Sequence, residues 1–183
     1  METDLYEEIN GMIQLYLIRH SMTAGNLKKR YIGRTDESLC PEGIVLLESY
    51  IQKNIYPEVQ RVYVSPMKRC METAKLIFKE NFYEVEELRE CDFGIFENKN
   101  YKELSDCPEY QAWIDSGGTL PFPEGESQAS FTARCCAAVQ RIVLQNAFQT
   151  AAIVAHGGTC MAILSQMEQQ HIPYFDWHIP FQL

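Results

Sequence analysis

The sequence contains no C-x-x-C pair, no apolar run approaching the ~18 residues of a membrane span, no low-complexity tract and no repeat at a fixed period. Those absences set aside zinc ribbons, transmembrane helices and solenoids. Seven cysteines, an odd number without paired spacing, do not make a disulfide framework; they read as reduced and mostly core-packing. Positive charge is also in deficit. Sixteen Lys and Arg against 25 Asp and Glu give a net charge of −9, which argues against a surface that grips nucleic acid or anionic lipid. An anionic ligand would need a locally basic pocket. The start, METDLYEEING, is acidic where a signal peptide is basic and then apolar. A cytoplasmic protein is the expectation, with residues 1–11 as an N-terminal extension.

What is present is ordinary for a globular protein: 46% apolar and 22% charged residues in 183, enough chain for one sizeable core. The expectation is a single domain over 1–183. Strand-like and helix-like segments alternate. Met12 to Ile18 (MIQLYLI), Arg61 to Val64 (RVYV) and Thr150 to Ala155 (TAAIVA) are short and nearly all apolar, as strands buried on both faces should be. Tyr83 to Glu87 alternates weakly and reads as a further short strand.

Between the strands, Ile44, Leu47 and Ile51 mark a helix over Glu42 to Lys53, with Pro41 in its first turn. Ser65-Pro66 reads as an N-cap and first helical residue, opening a helix with Met67, Cys70, Met71, Ala74, Ile77 and Phe78 on one stripe. A long helix runs from Ser127 (Phe131, Cys135, Ala138, Ile142), and a last one carries Cys160, Ile163, Leu164 and Met167. Asp92 to Gly118 reads as short helices and loops, with 92–125 a candidate lid. The pattern predicts a three-layer α/β fold, a mainly parallel central sheet with helices on both faces, whose ligand sits at the carboxyl ends of the strands.

Each confident strand ends in polar residues of one kind: Arg19-His20 after the first, Ser65 through Arg69 after the second, His156-Gly157-Gly158 after the third. Two Arg and two His converging at one crevice suit a tetrahedral dianion, since guanidinium forks match phosphate oxygens and helix N-termini add N–H donors. Catalysis needs in addition a nucleophile and a proton donor, for which His20 and Glu90 are the candidates. Arg19, Arg69 and His156 would then stabilise charge in place of a metal, so no metal or cofactor is expected. Taken singly, each of these residues also reads as structural: a hydrogen-bonded His after a strand, or a solvated Arg in a first helical turn. His171 and His178, in a tail rich in Pro and aromatics, are assigned packing roles.

The stretch LIRHSMTAGN resembles the histidine phosphatase signature L-x-R-H-G-E/Q-T-x-x-N, matched at Arg19, His20, Thr23 and Asn26. SPMKRCMETA with Arg69, LRECDFG with Glu90, PEGES and VAHGGT with His156 follow in the family's order. The chain is thereby identified, over roughly Met12 to Trp177, as a member of the histidine phosphatase superfamily, in the phosphoglycerate mutase-like branch. The resemblance implies a phosphoglycerate mutase-like fold and a phosphohistidine on His20. It assigns Arg19, Arg69, His156, Thr23, Asn26 and the Gly157 backbone to the phosphoryl group, and Glu90 as acid and base, with Asp92 as its competitor.

Ser21 stands where the family has Gly, Met22 where it has Glu or Gln, and Phe96-Glu97-Asn98 replaces Trp-Glu-Gly. Asn98 tolerates the left-handed conformation such a position asks for. The chain ends at PYFDWHIPFQL where relatives continue through one more strand, so either a missing edge or a truncated fragment is expected. A small-molecule phosphomonoester is the expected substrate. The mutases' inserted segment is lacking, which favours a phosphatase over a mutase, and LRECDFG and YFDW resemble the alpha-ribazole phosphatase type. The alternatives are mutase-type transfer and a non-catalytic phosphate-binding regulator. Arg34, beside the Lys28-Lys29-Arg30 run, is a candidate for a distal substrate contact or simply part of a solvated basic loop.

Overall fold

A computed structural model describes residues 13–167 apart from 80 and 146. Four strands, β1 (Gln14–Arg19), β2 (Arg61–Val64), β3 (Phe82–Glu84) and β4 (Thr150–Ala155), form one sheet in the order β1-β4-β2-β3, every pair parallel. Six helices accompany them among the described residues: α1 (Ala24–Leu27), α2 (Pro41–Gln52), α3 (Lys68–Phe78), α4 (Pro108–Asp115), α5 (Gln128–Gln145) and α6 (Gly157–Met167).

The side-chain period of two in a strand divides the sheet between two cores. Ala151, Ile153 and Ala155 face α5 and α6, packing with Phe131, Cys135, Ala138, Ile142 and Ile163. Ala152 and Val154 face the other way, onto Cys70 and Ala74 of α3 with Ile18, Val62 and Val64. Hence β4 is apolar from Ala151 to Ala155, and the three layers expected from the sequence are present. The small residues of β4 let helices approach both its faces, as a central strand requires.

The described cysteines are all free, five of them buried, and none of the described helices is long and apolar enough to cross a membrane.

Two local expectations fail. Ser65 and Pro66 do not open α3: its first residue is Lys68, and Met67 at the N-cap makes no side-chain capping bond. The Ser65 hydroxyl is drawn instead to His156, across the strand ends. The weak strand at Tyr83 to Glu87 shifts to Phe82–Glu84, because the chain turns into a 3-10 helix at Glu86–Leu88 once Val85 N has bonded Val64 O at 2.9 Å. The first strand begins at Gln14 and extends one residue beyond Ile18. The C-terminal segment, including His171, His178 and the expected edge, lies outside the described residues, as do residues 1–12.

The 92–125 excursion holds a 3-10 turn (Gly94–Phe96) and α4, and its ends are tied together: Glu126 N bonds Asp92 O at 2.9 Å and Ile95 N bonds Pro123 O at 3.0 Å. Gly94 sits there at φ 53°, and a Cβ on it would lie 1.9 Å from Pro123 O, so glycine alone fits. Asn98 takes φ 57°, the left-handed conformation its side chain tolerates.

Candidate active site

Parallel pairing brings the carboxyl ends of β1, β4 and β2 to one edge, with Arg19 opposite Ala155 and Val64 opposite Val154. The next residues, His20, His156 and Ser65, therefore stand in a row. His20 N bonds Ala155 O at 2.9 Å and Ser65 N bonds Val154 O at 3.0 Å, extending the ladders past the strands. The His20 and His156 rings meet edge to face with centroids 5.2 Å apart.

His20 is buried, and its Nδ1 lies 2.6 Å from the carbonyl oxygen of Ser21. A carbonyl only accepts, so Nδ1 carries the hydrogen and the lone pair of the neutral ring is on Nε2. Burial, then the Arg69 charge, lowers the His20 pKa well below the ordinary imidazole range, against a smaller opposing effect of the Ser21 carbonyl. Ser21 itself fits where the family has glycine. Its N–H donates to Thr73 Oγ1 (3.1 Å), its hydroxyl donates to Gly43 O (2.8 Å), and its φ is not positive.

His156 is completely buried. Arg69 Nε donates to its Nδ1 at 3.2 Å, so its hydrogen is on Nε2, which donates to Ser65 Oγ at 2.8 Å. Its pKa too is lowered well below the usual value, by burial first and Arg69 second. Both ring nitrogens are thus engaged by protein. In this arrangement His156 holds Arg69 and packs on His20, and a direct bond to a phosphate requires exchange of one of its two partners.

Arg69 is not the solvated first-turn residue that its position alone suggests: it is fully buried. Besides His156 it donates to Thr35 O (2.7 Å) from Nη1 and to Ile32 O (3.3 Å) and Gly33 O (3.0 Å) from Nη2. Four of its five N–H groups anchor the 32–35 loop and His156, and one on Nη1 remains. Arg19 lies over the start of α6. A Cβ on Gly157 would sit 3.1 Å from its Cζ and 3.2 Å from its Nε, so the absence of a side chain at 157 is what admits the guanidinium. Burial lowers the Arg19 pKa, opposed by Glu90.

Glu90 keeps some surface, yet its carboxyl is enclosed: Oε1 accepts from Cys91 N (2.9 Å) and Oε2 from Gly158 N (3.0 Å) at the first turn of α6. Burial raises its pKa, outweighing these two bonds and the nearby Arg charges. Its competitor Asp92 takes a structural part. Asp92 Oδ1 accepts from Gly94 N at 2.9 Å and pairs with Arg34 at 3.1 Å, on a side chain of Arg34 that is 63% exposed.

Thr23 is the N-cap of α1 in a capping box with Asn26, and its hydroxyl also bonds Glu37. The Asn26 Oδ1 accepts from Thr23 N (3.1 Å) and Thr23 Oγ1 (2.9 Å). Among the described residues no three His, Cys, Asp or Glu are grouped as metal ligands.

Several supporting residues escaped the sequence reading. Ser65 orients His156. Glu37 holds the turn at Thr23 and Gly25. Glu97 Oε1 accepts from Gly33 N, Thr35 N and Thr35 Oγ1, each at 2.8 Å, and so secures the loop whose carbonyls Arg69 uses. The only sequence signal for these was their place in or beside the motifs, as with Glu97 in Phe96-Glu97-Asn98 and Ser65 at the end of the second strand.

Nitrogen bases, guanidinium groups and an enclosed carboxyl at the carboxyl edge of a parallel sheet define a phosphoryl-transfer enzyme of the α/β class. The chain belongs to the histidine phosphatase superfamily, branch 1, which matches residues 15–181. It is 31% identical over 158 residues to the "Putative phosphoserine phosphatase 2" of Hydrogenobacter thermophilus, covering 84% of this chain and 77% of that protein. The crystal structure of phosphoserine phosphatase in complex with 3-phosphoglyceric acid from Entamoeba histolytica superposes with a TM-score of 0.79 at 28% identity, covering 92% of this chain and 87% of that one. The alpha-ribazole phosphatase of Shigella flexneri shares the fold, with a TM-score of 0.78 at 24% identity over 88% of this chain and 82% of that one.

Proposed function

We propose that the chain hydrolyses a small-molecule phosphomonoester through a phosphohistidine on His20, without a metal. The observation that carries this reading is the 2.6 Å contact of His20 Nδ1 with Ser21 O, which fixes the lone pair on Nε2 of a ring that burial and the Arg69 charge keep neutral. Nε2 attacks phosphorus, the bond from phosphorus to the ester oxygen breaks, and the Glu90 carboxyl gives its proton to the departing alkoxide. In the second half-reaction the Glu90 carboxylate takes a proton from water as that water attacks phosphorus. The P–N bond breaks, its electron pair returns to Nε2, and inorganic phosphate leaves.

A raised carboxyl pKa and a lowered imidazole pKa suit these opposite tasks, since each shifts its group toward the state the first step needs. Charge on the transferring group is met by Arg19, by the charge and remaining N–H of Arg69, by Asn26 Nδ2 and by N–H groups at the start of α6. His156 acts through Arg69 and His20, and Thr23 by holding Asn26. The 92–125 excursion covers the site, and Arg34, paired with Asp92 at its edge, reaches toward a distal part of the substrate. The free cysteines support a cytoplasmic setting. A purely phosphate-binding role would not need both an enclosed carboxyl at the start of α6 and an unprotonated ring nitrogen on His20.

The test is turnover of an aryl phosphate in excess EDTA, with acid-labile, alkali-stable phosphoprotein trapped by rapid quench, in the wild type and in His20→Ala. Turnover that survives EDTA, with the phosphoprotein lost in the variant, is expected. EDTA-sensitive turnover, or an unchanged phosphoprotein in His20→Ala, would overturn the mechanism.

A further inference from the structure

Beside Glu90 and Gly158 lies a cavity of about 210 Å³ walled by Tyr31, Phe93, Trp113, Phe122 and Met161. Its aromatic rings brace one another: Trp113 stacks on Phe122 (5.1 Å, 27°), while Phe93 meets Phe122 (5.0 Å, 84°) and Tyr31 (5.2 Å, 64°) edge to face. Such packing makes a pre-formed box and not a collapsible gap. Among the described residues no Lys, Arg or His lines it, and its acidic lining group is Glu90.

We infer that this cavity takes the alcohol portion of the substrate, and that this portion is an uncharged aromatic group. The inference rests on the reading of Glu90 as the proton donor: the leaving oxygen must be within reach of Glu90, so the carbon skeleton attached to it continues into the space that Glu90 walls. An apolar cavity of about 150 Å³ takes a benzene ring, so this one holds a single ring with a short arm. A carboxylate on the alcohol, as in phosphoserine or 3-phosphoglycerate, would be stripped of water there with no counter-charge and with Glu90 beside it. Selection therefore works by exclusion of charge as well as by aromatic contact.

The test compares kcat/KM of the full chain for benzyl phosphate and 2-phenoxyethyl phosphate with that for glycerol 3-phosphate, L-phosphoserine and 3-phosphoglycerate. All five release alkoxides, so leaving-group acidity does not dominate the comparison. The aromatic esters are expected to exceed glycerol 3-phosphate by at least about tenfold and the carboxylates by more, the range that pocket contacts deliver. In Phe122→Ala and in the more conservative Trp113→Leu, the ratio of benzyl phosphate to glycerol 3-phosphate should fall toward one. Carboxylate esters turned over as well as the aromatic ones, or a ratio unmoved by both substitutions, would overturn the inference while leaving the phosphatase reading intact. Turnover of none of the five would fail the phosphatase reading instead. Calorimetry with benzylphosphonate then decides the cavity: binding that Trp113→Leu weakens supports it, and no binding, or binding that is unaffected, overturns it.

Discussion

Replacing Arg69 by Lys keeps the charge and removes the fork, and the structure says what that removal exposes. The guanidinium spreads its bonds over Ile32 O, Gly33 O, Thr35 O and His156 Nδ1 in a fully buried place. One ammonium placed where Nη2 sits retains the Ile32 and Gly33 carbonyls at best. Thr35 O, part-buried, and His156 Nδ1, fully buried, are then left as acceptors without donors. At about 1–3 kcal/mol for each unpaired buried group, the loss is about 2–6 kcal/mol. For a chain of this size, 1 kcal/mol moves Tm by about 2–4 °C, so Tm should fall by at least about 4 °C. Urea unfolding followed by far-UV circular dichroism measures the stability, and kcat/KM for an aryl phosphate measures the site. Activity should fall by at least about tenfold at temperatures where the variant is folded, because the 32–35 loop and the His156 ring lose their common anchor. A midpoint and Tm within error of the wild type would refute the reasoning, since it would mean the four bonds are not made or are replaced at no cost.

Three further outcomes follow from the site. In Glu90→Gln, formation of the phosphoenzyme should slow by about 10²–10⁴-fold for alkyl phosphates and much less for nitrophenyl phosphate, whose leaving group needs little protonation; equal losses across leaving groups would remove Glu90 from that role. Gly157→Ala places a methyl 3.1 Å from Arg19 Cζ, and should cost about 1–3 kcal/mol of stability or displace the guanidinium and lower kcat/KM; a variant normal in both measurements would contradict the contact. His20 and His156 stay neutral when folded, whereas unfolded His takes up a proton below about pH 6.5, so the pair should cost about 1.4 kcal/mol per ring for each pH unit below that. Glu90, its pKa raised, acts with the opposite sign and stabilises the fold below its unfolded value of about 4.3, losing that contribution as pH rises through the folded one. Denaturant melts from pH 7.5 to 5.5 should therefore show stability falling with acid, with a shallower slope in His20→Ala; parallel slopes would refute the assignment.

Much of this protein is legible in one dimension, for physical reasons. Strands packed between helices are short and nearly all apolar, so MIQLYLI, RVYV and TAAIVA announce themselves, and strands separated by helices must pair in parallel. The polar residues that terminate those strands then have to share an edge, which is why Arg19, His20, Arg69 and His156 could be nominated together. Boundaries set by competition were less legible. Ser65-Pro66 has the local chemistry of a helix start, but the Ser65 hydroxyl is taken by His156, 91 residues away in sequence. No local pattern records such a bond.

The sequence by itself determined the parallel α/β architecture and the family, and nominated the candidate site residues, because periodicity, strand length and ordered motifs are properties of the chain. Only the tertiary structure decided what each site residue does with its hydrogens. It placed the His20 lone pair on Nε2 through Ser21 O, spent four of the N–H groups of Arg69 on a loop and a ring, separated the enclosed Glu90 from the loop-capping Asp92, and drew Tyr31, Phe93, Trp113 and Phe122 into one box. Those outcomes depend on burial and on hydrogen bonds between residues distant in sequence, and both come into being only when the chain has folded.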